Sequence, residues 1–311
     1  MHLDFTEDQK ALLASLEAIV EDHLAPPTED RRGRYHYSQS LDAKLVSNGF
    51  LDAIRTPGMG AVEAAMVIEE VSRSPSVVEV SASALVAPHL LDEALPRPIV
   101  LASGDLSKAQ RFLPVAKTVI YNAGDKVLVF AVDQANVETI DSIYAYPMGR
   151  FKTLPNLASA RVIGGPDAVA KLHQWWRVAL AAECAGAMKS AVDFVVDYTK
   201  QRKLFNTTIA SFQAVQHRLA HAHRIARGLH FLVMKAAWSG DAFDANQAAS
   251  FAQQHIQQLV FDLHQFNGGM GVTNENLLHF WTYRFRALQP EVGGANAAAL
   301  ETADLLWGSA A

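Results

Sequence analysis

The sequence is poor in cysteine and has no excess of basic residues, and both shortages exclude classes of function. Cys184 is the one cysteine among 311 residues, which excludes an internal disulfide. It lies in the apolar run ALAAECAGAM, which predicts a small buried side chain rather than a nucleophile. With 27 Lys+Arg against 32 Asp+Glu, the net charge of −5 offers no basic surface for nucleic acid or an anionic membrane.

Long apolar runs are lacking as well. No segment approaches the ~20 apolar residues that a membrane helix needs. The amino-terminal segment MHLDFTEDQKALLASL begins acidic and has no apolar core, so neither a secretion signal nor a membrane anchor is predicted. We therefore expect a cytoplasmic protein. At 50% hydrophobic residues the chain is able to bury a sizeable core, and its length favours two or three domains.

The first 97 residues carry helical patterns. Thr6 and Gln9 form a predicted capping box, and the apolar residues that follow repeat at helical spacing. Further helices are predicted over residues 41–48, 61–72 and 80–95. Residues 1–97 are therefore predicted to form a helical domain.

Residues 98–165 carry strand signals instead. Runs such as KTVIYNAGDKVLVFAV are rich in β-branched and aromatic residues and are broken by turn residues, and residues 122–125 predict a hairpin. From residue 166 to residue 311 helical periodicity returns, which predicts a bundle. The bundle helices are predicted over 167–201, 211–238, 243–267, 275–288 and 295–306. The predicted fold is mostly α with a small, reduced β-domain in the middle.

The segment RKLFNTTIASFQAVQHRLA is the first of two motifs in the bundle that indicate ligand binding. Arg202 carries a permanent charge that suits a pyrophosphate, and the Gln213 amide is able to hydrogen-bond a nucleotide. Taken alone, Arg202 is better explained as a cation at the end of a helix, where the helix dipole favours it. The binding hypothesis depends on the combination of Arg202 with Phe205 and Gln213.

The second motif, HQFNGGMGV, combines the Gln265 amide with a cluster of glycines, Gly268, Gly269 and Gly271. Glycine lets a backbone approach a ligand closely. A plain helix C-cap is the structural alternative for these glycines. Because the cluster lies between two predicted helices, we favour a loop that approaches a cofactor.

The order and spacing of the two motifs resemble the R-x-x-F-G…F-Q and Q-x-x-G-G-x-G patterns of the acyl-CoA dehydrogenase family. The resemblance extends over essentially the whole chain, since that family has the same order of helical domain, β-domain and helical bundle. It implies that FAD is the cofactor and that Arg202, Phe205, Gln213, Gln265, Gly268 and Gly269 contact the FAD of a neighbouring subunit. The glycine after the family's phenylalanine is Asn206 here, a residue that tolerates left-handed backbone angles.

The resemblance also implies a catalytic base, and here the chain departs from the family. In the family a carboxylate removes the α-proton of an acyl-CoA thioester while the β-hydrogen leaves as hydride to the flavin. The two positions that hold this carboxylate in family members fall on Val292 and Trp176, both apolar. Glu291 is one residue away, a rotation of about 100° on a helix, and Glu183 lies two turns from Trp176, roughly 10 Å deeper. Each is a weak alternative base, with a solvated or paired carboxylate as the default.

The middle domain lacks the T-E-P…G-S-D and W-I-T segments with which family members hold flavin in their own β-domain. The chain is therefore similar to the short subunit of heteromeric acyl-CoA dehydrogenases of actinobacterial steroid degradation. This resemblance implies a full-length partner that supplies the base, a heterotetramer with two of each chain, and a bulky acyl-CoA as substrate. Electron-transfer flavoprotein or a similar protein is the implied electron acceptor, and no metal site is predicted.

Two other functions stay open from the sequence. One is a self-sufficient homo-oligomeric acyl-CoA dehydrogenase that uses Glu291 or Glu183 as its base. The other is a catalytically inactive scaffold or binding protein on the same fold. A nucleic-acid-binding form of the second is disfavoured by the acidic charge.

Overall fold

The computed structural model describes residues 4–26 and 33–308. Three segments lie outside the described residues: 1–3, 27–32 and 309–311. Residues 1–3 begin the segment for which no secretion signal or membrane anchor is predicted, and residues 309–311 end the predicted bundle. No described helix combines the length and the apolar character that crossing a membrane requires.

In the described part of the chain, four α-helices precede the strands: α1 Glu7–Glu21, α2 Gln39–Ser47, α3 Ala61–Ser72 and the short α4 Ala87–Leu90. The predicted capping box is confirmed, since the Gln9 backbone N–H donates to Thr6 Oγ1 at 3.2 Å and the Thr6 N–H donates to Gln9 Oε1 at 3.0 Å. The helix predicted over 80–95 is wrong in length. It is a π-helical turn, Ala82–Val86, followed by α4, because the chain becomes extended at Leu91.

Seven strands form two small sheets between residues 99 and 164. They are β1 Ile99–Ser103, β2 Gln110–Arg111, β3 Thr118–Asn122, β4 Val127–Ala131, β5 Val137–Ile140, β6 Met148–Phe151 and β7 Arg161–Gly164. One sheet has the order β1-β3-β4-β7, with β1 and β3 parallel, and the other has the order β2-β6-β5. The predicted hairpin is confirmed by the antiparallel β3–β4 pair, whose turn contains Gly124 at φ 98°.

Two of these strands were not predicted. β2 has two residues, and β6 contains a glycine and an arginine, so neither carries a strand pattern of its own. Their pairing places Arg111 opposite Met148. The Arg111 side chain is 12% exposed in this position.

The remaining helices are α5 Pro166–Gln201, α6 Gln213–Ser239, α7 Ala242–Asn267, α8 Leu278–Leu288 and α9 Gly294–Trp307. A small hairpin, β8 Lys203–Leu204 with β9 Thr207–Thr208, connects α5 to α6. α5 runs through the centre and packs against α3, α6, α7 and α8. Its contact with α3 is very close, because a Cβ on Gly186 would lie 1.9 Å from the Glu69 carbonyl oxygen.

The prediction that Cys184 is buried within α5 is confirmed, and apolar residues along the same helix are buried with it. Met188 and Val195 are fully buried, Val192 is 1% exposed, and the Cys184 side chain has no exposed surface. Burial raises the pKa of the Cys184 thiol well above its ordinary value, which keeps it protonated and unreactive.

Candidate functional site

The two sequence motifs meet at one end of the bundle. The end of α5, the β8–β9 hairpin, the start of α6 and the end of α7 surround a cleft of about 640 Å³, here called the motif cleft. Four of the six residues predicted to contact FAD line it: Arg202, Gln265, Gly268 and Gly269. The structure therefore brings together side chains that are far apart in the chain.

Arg202 reaches the cleft from the carboxy-terminal cap of α5. Its backbone N–H donates to the Tyr198 carbonyl at 2.9 Å, and its own carbonyl accepts from the Ile209 N–H at 2.9 Å as the hairpin returns. The backbone is thus held at both of its polar groups. The Arg202 side chain is exposed, and within residues 4–26 and 33–308 its guanidinium has no hydrogen-bond or ion-pair partner. A fixed backbone with a free cation is suited to binding an anion.

The glycines form the opposite wall. Gly268 ends α7 with φ 55°, so it acts as a helix cap, and a Cβ added at Gly268 or Gly269 would meet nothing within 4 Å. The backbone here is open to the cleft. Gly271 differs, since its Cβ would lie 2.8 Å from the Asn267 Cβ, which makes it a packing glycine. Gln265, on the last turn of α7, is exposed with its amide towards the same cleft.

Phe205 and Gln213 are not among the residues that line the cleft. Phe205 is 89% exposed at the tip of the β8–β9 hairpin. Phe205 and Asn206 have φ values of 52° and 63°, as both central residues of a type I′ turn require, so Asn206 does adopt the left-handed conformation expected of it. Gln213 is exposed at the first residue of α6. Both flank the cleft, beside Leu204 and Val215, which do line it.

The two weak candidates for a base, Glu183 and Glu291, meet at a residue that the sequence analysis missed. Arg111 Nη1 lies 2.8 Å from Glu183 Oε2, and Arg111 Nε and Nη2 lie 2.5 and 3.0 Å from the two Glu291 oxygens. The Arg111 side chain is 12% exposed, and Glu183 and Glu291 are 10% and 17% exposed. We call these three residues the Arg111 cluster. No local pattern marks Arg111, because its partners are 72 and 180 residues away.

Further donors complete the cluster. Glu183 accepts hydrogen bonds from the Tyr146 hydroxyl at 2.9 Å and from Ser81 Oγ, and Glu291 accepts one from Trp176 Nε1 at 3.2 Å. Glu291 therefore touches Trp176, one of the two positions at which the family places its base. The 100° rotation expected between Glu291 and Val292 does not apply, because Val292 has φ 52° and the segment is not α-helical.

The electrostatics differ between the two carboxylates. Burial alone raises the pKa of Glu183, but Arg111 and the donors Ser81 and Tyr146 outweigh it, so its pKa is lowered. Burial raises the pKa of Glu291 and is only partly offset by Arg111 and Trp176. Burial disfavours the charge of Arg111, but the two carboxylates dominate and raise its pKa well above the ordinary value. The anionic form is therefore favoured more at Glu183 than at Glu291.

The space beside the cluster is small. Two cavities of about 20 Å³ each adjoin Glu183, and a volume of that size admits roughly one water molecule. The motif cleft is about 640 Å³. Neither Glu183 nor Glu291 lines the motif cleft, so the cleft and the Arg111 cluster are separate features of the molecule.

Comparison with known proteins identifies this architecture. Residues 164–303 match the acyl-CoA dehydrogenase C-terminal domain. The chain is 25% identical over 300 residues to the acyl-CoA dehydrogenase IpdE2 of Mycolicibacterium smegmatis, which covers 90% of this chain and 92% of that protein. It is 39% identical over 100 residues to a 3-(aryl)acrylate reductase of Clostridium sporogenes, covering 30% of this chain and 26% of the reductase.

Solved structures agree on the fold. The ChsE4-ChsE5 complex from Mycobacterium tuberculosis contains a chain that matches with a TM-score of 0.81 and 20% identity, over 100% of both chains. The Tcur3481-Tcur3483 steroid ACAD matches with a TM-score of 0.80 and 20% identity, over 96% of this chain and 98% of that chain. The predicted fold class, mostly α with a small β-domain, is confirmed. The comparisons thus identify residues 164–303 with the acyl-CoA dehydrogenase C-terminal domain and give the whole chain the fold of these solved structures.

Proposed function

We propose that this chain is a subunit of an FAD-dependent acyl-CoA dehydrogenase and supplies half of the FAD site to a partner subunit that carries the catalytic glutamate. One observation carries the proposal. The two carboxylates nearest the family's base positions, Glu183 and Glu291, share a buried ion pair with Arg111, whereas the motif cleft is open.

The Arg111 cluster is poorly suited to base catalysis for an energetic reason. A positioned base typically accelerates a reaction 10²- to 10⁴-fold, which is about 3–5 kcal/mol. Separating one partner from a buried ion pair also costs about 3–5 kcal/mol. Glu183 would have to leave Arg111 and two further donors to accept a substrate proton. The cost of releasing the carboxylate is therefore as large as the benefit of using it.

The motif cleft fits the nucleotide part of FAD. Arg202 offers an unpaired guanidinium for a phosphate, Gln265 offers an exposed amide, and Gly268 and Gly269 offer open backbone. Phe205 and Gln213 flank the cleft and would contact the cofactor from the side of the β8–β9 hairpin. When bound, FAD would supply the two-electron oxidation of the acyl-CoA carbon–carbon bond, and the residues of this chain would hold and orient it.

The surroundings of the cleft support a partner chain at this end of the molecule. Leu204, Phe205, Met270 and Val272 are 44%, 89%, 40% and 74% exposed, and exposed apolar groups of this kind mark interaction surfaces. The two structural neighbours named above support a heteromer, since each is named by two chains, ChsE4-ChsE5 and Tcur3481-Tcur3483. We propose two copies of each chain, a bulky acyl-CoA substrate, and electron-transfer flavoprotein or a similar acceptor.

The visible absorption spectrum tests the proposal. Purified alone and then incubated with FAD, the chain should remain colourless after gel filtration. A tagged copy purified from its own organism should bring down a longer acyl-CoA dehydrogenase chain together with about one FAD per pair. That complex should reduce an artificial electron acceptor with acyl-CoA, and Glu291→Gln in this chain should leave the turnover rate unchanged.

Two results would contradict the proposal. About one FAD per chain in the protein purified alone, with turnover abolished by Glu291→Gln or Glu183→Gln, would establish a self-sufficient enzyme. A complex that binds FAD but oxidises no acyl-CoA would favour an inactive scaffold.

A further inference from the structure

A second arginine, Arg218, lines the motif cleft together with Arg202 and Gln265. It lies on α6, and neither sequence motif assigns it a role. Its side chain is 38% exposed. Arg218 therefore lines the motif cleft while part of its side chain is open to solvent, and it shares the cleft with the positively charged Arg202.

The Arg218 side chain is held in place by a buried carboxylate and two aromatic rings. Nη2 forms an ion pair with Asp262 Oδ1, whose side chain is 5% exposed and also accepts from Gln258 Nε2 at 2.9 Å. The guanidinium carbon lies 4.9 Å from the centre of the Phe266 ring and 5.7 Å from that of Phe261. A guanidinium has five N–H donors in a rigid plane, so the contact with Asp262 leaves donors free while it fixes their direction.

The charges in the cleft match a pyrophosphate. Arg202 and Arg218 bring two positive charges to the cleft, and Asp262, the carboxylate paired with Arg218, is buried beneath it. A dinucleotide pyrophosphate carries about two negative charges, and planar guanidinium groups bind phosphate oxygens in pairs. We propose that Arg218 is a second phosphate-binding residue and forms, with Arg202, a two-arginine clamp for the pyrophosphate of FAD. This inference rests on the proposed function.

A purely structural role for Arg218, neutralising Asp262, makes a different prediction. Lysine would still neutralise Asp262, but it lacks the planar fork that binds two phosphate oxygens. Arg227 provides a matched control on the same helix. It too is exposed and stacks on a phenylalanine, Phe231, at 5.0 Å, but it does not line the cleft.

The test measures FAD dissociation constants of the complex isolated with its partner chain, at several KCl concentrations. Arg218→Met combined with Asp262→Asn removes both charges, so that no buried carboxylate is left unpaired. This pair of substitutions should weaken FAD binding about 10- to 100-fold, the range for a lost charged hydrogen bond, and Arg218→Lys about 3- to 10-fold. The salt dependence of binding should decrease in the double variant, because one ionic contact is lost, and should change little in Arg218→Lys, which keeps the positive charge.

Arg227→Met should bind FAD within about twofold of the parent complex, a range set by the small effect of exposed substitutions. Urea denaturation of each variant shows whether it is folded at the assay conditions. A folded Arg218→Lys complex and a folded double variant that both bind FAD as tightly as the parent would overturn the clamp while leaving the proposed function intact. A parent complex without any flavin would overturn both.

Discussion

Arg111→Met is the substitution with the sharpest expected outcome. Arg111 is the guanidinium that Glu183 and Glu291 share, and it also stacks on the Tyr146 ring at 4.6 Å. Its removal leaves two buried carboxylates without their common cation. Breaking a buried ion pair by removing one partner typically costs about 3–5 kcal/mol. Since four N–O contacts of 2.5 to 3.5 Å are lost, we expect a value at the upper end of that range.

Urea denaturation at pH 7 measures this loss, and Arg150→Met is its control. Arg150 Nε lies 2.8 Å from Glu138 Oε2, the same distance as in the Arg111–Glu183 pair, and it belongs to the same β-region. The Arg150 pair is about half exposed, however, at 52% and 47%. Exposed pairs contribute about 0–1 kcal/mol. The free energy of unfolding should therefore fall several times more for Arg111→Met than for Arg150→Met.

A triple variant separates charge from packing. Adding Glu183→Gln and Glu291→Gln to Arg111→Met removes the uncompensated charges and should recover most of the lost stability. Equal losses for Arg111→Met and Arg150→Met would refute the reasoning, because the cluster would then behave as solvated. In that case Glu183 and Glu291 would again be available as bases, and the main support for the half-site proposal would be lost.

Three other predictions concern packing, strain and pH. Gly186→Ala should lower the free energy of unfolding by at least about 1–3 kcal/mol, because its Cβ would lie 1.9 Å from a backbone oxygen of α3. Gly228→Ala is the control: its Cβ would lie 3.7 Å from the nearest atom, so the free energy of unfolding should rise by about 0.5–1 kcal/mol in the same urea assay. The free energy of unfolding of Val292→Gly should stay within about 1 kcal/mol of the parent value, because relief of a left-handed valine at φ 52° offsets the lost apolar contact. A loss above about 3 kcal/mol would mean that the turn is unstrained. Glu183→Gln should cost more stability at pH 7 than Glu291→Gln. The lowered pKa of Glu183 means that its anion stabilises the fold above the ordinary value of 4.5, and this contribution disappears as the pH falls through the folded pKa. Urea titrations at descending pH should therefore show the Glu183→Gln deficit shrinking, and a deficit that grows on acidification would contradict the assignment.

Local elements of the fold were predictable because local chemistry decides them. α3 has the predicted bounds, Ala61–Ser72, and the capping box that starts α1 is formed by the predicted pair. The bundle helices also lie where helical periodicity places them. Periodicity and capping act within a few residues, so they are written in the sequence itself. β2 was missed because a two-residue strand has no periodicity and forms only when β6 pairs with it.

The candidate site also has residues that were predictable from the sequence and residues that were not. Arg202, Gln265, Gly268 and Gly269 were identified from their spacing, and the structure places them in one cleft. Their contact with FAD stays a prediction, as does that of Phe205 and Gln213, which flank the cleft. Arg218 belongs to the same segment as Gln213 but has no recognisable spacing, and its position over Asp262 appears only when α6 packs on α7.

Three features can be read from the amino-acid sequence alone: the order of helices and strands, the two glutamine-bearing motifs, and the absence of a carboxylate at the family's two base positions. The contacts of Glu183 and Glu291 depend on the fold, because their shared partner, Arg111, is supplied by a strand 72 residues from one and 180 from the other. Ion pairs between distant segments leave no periodic trace in a sequence, since they depend on how whole elements pack. In this chain such an ion pair, with Arg111, engages Glu291, a carboxylate that lies beside one of the family's two base positions.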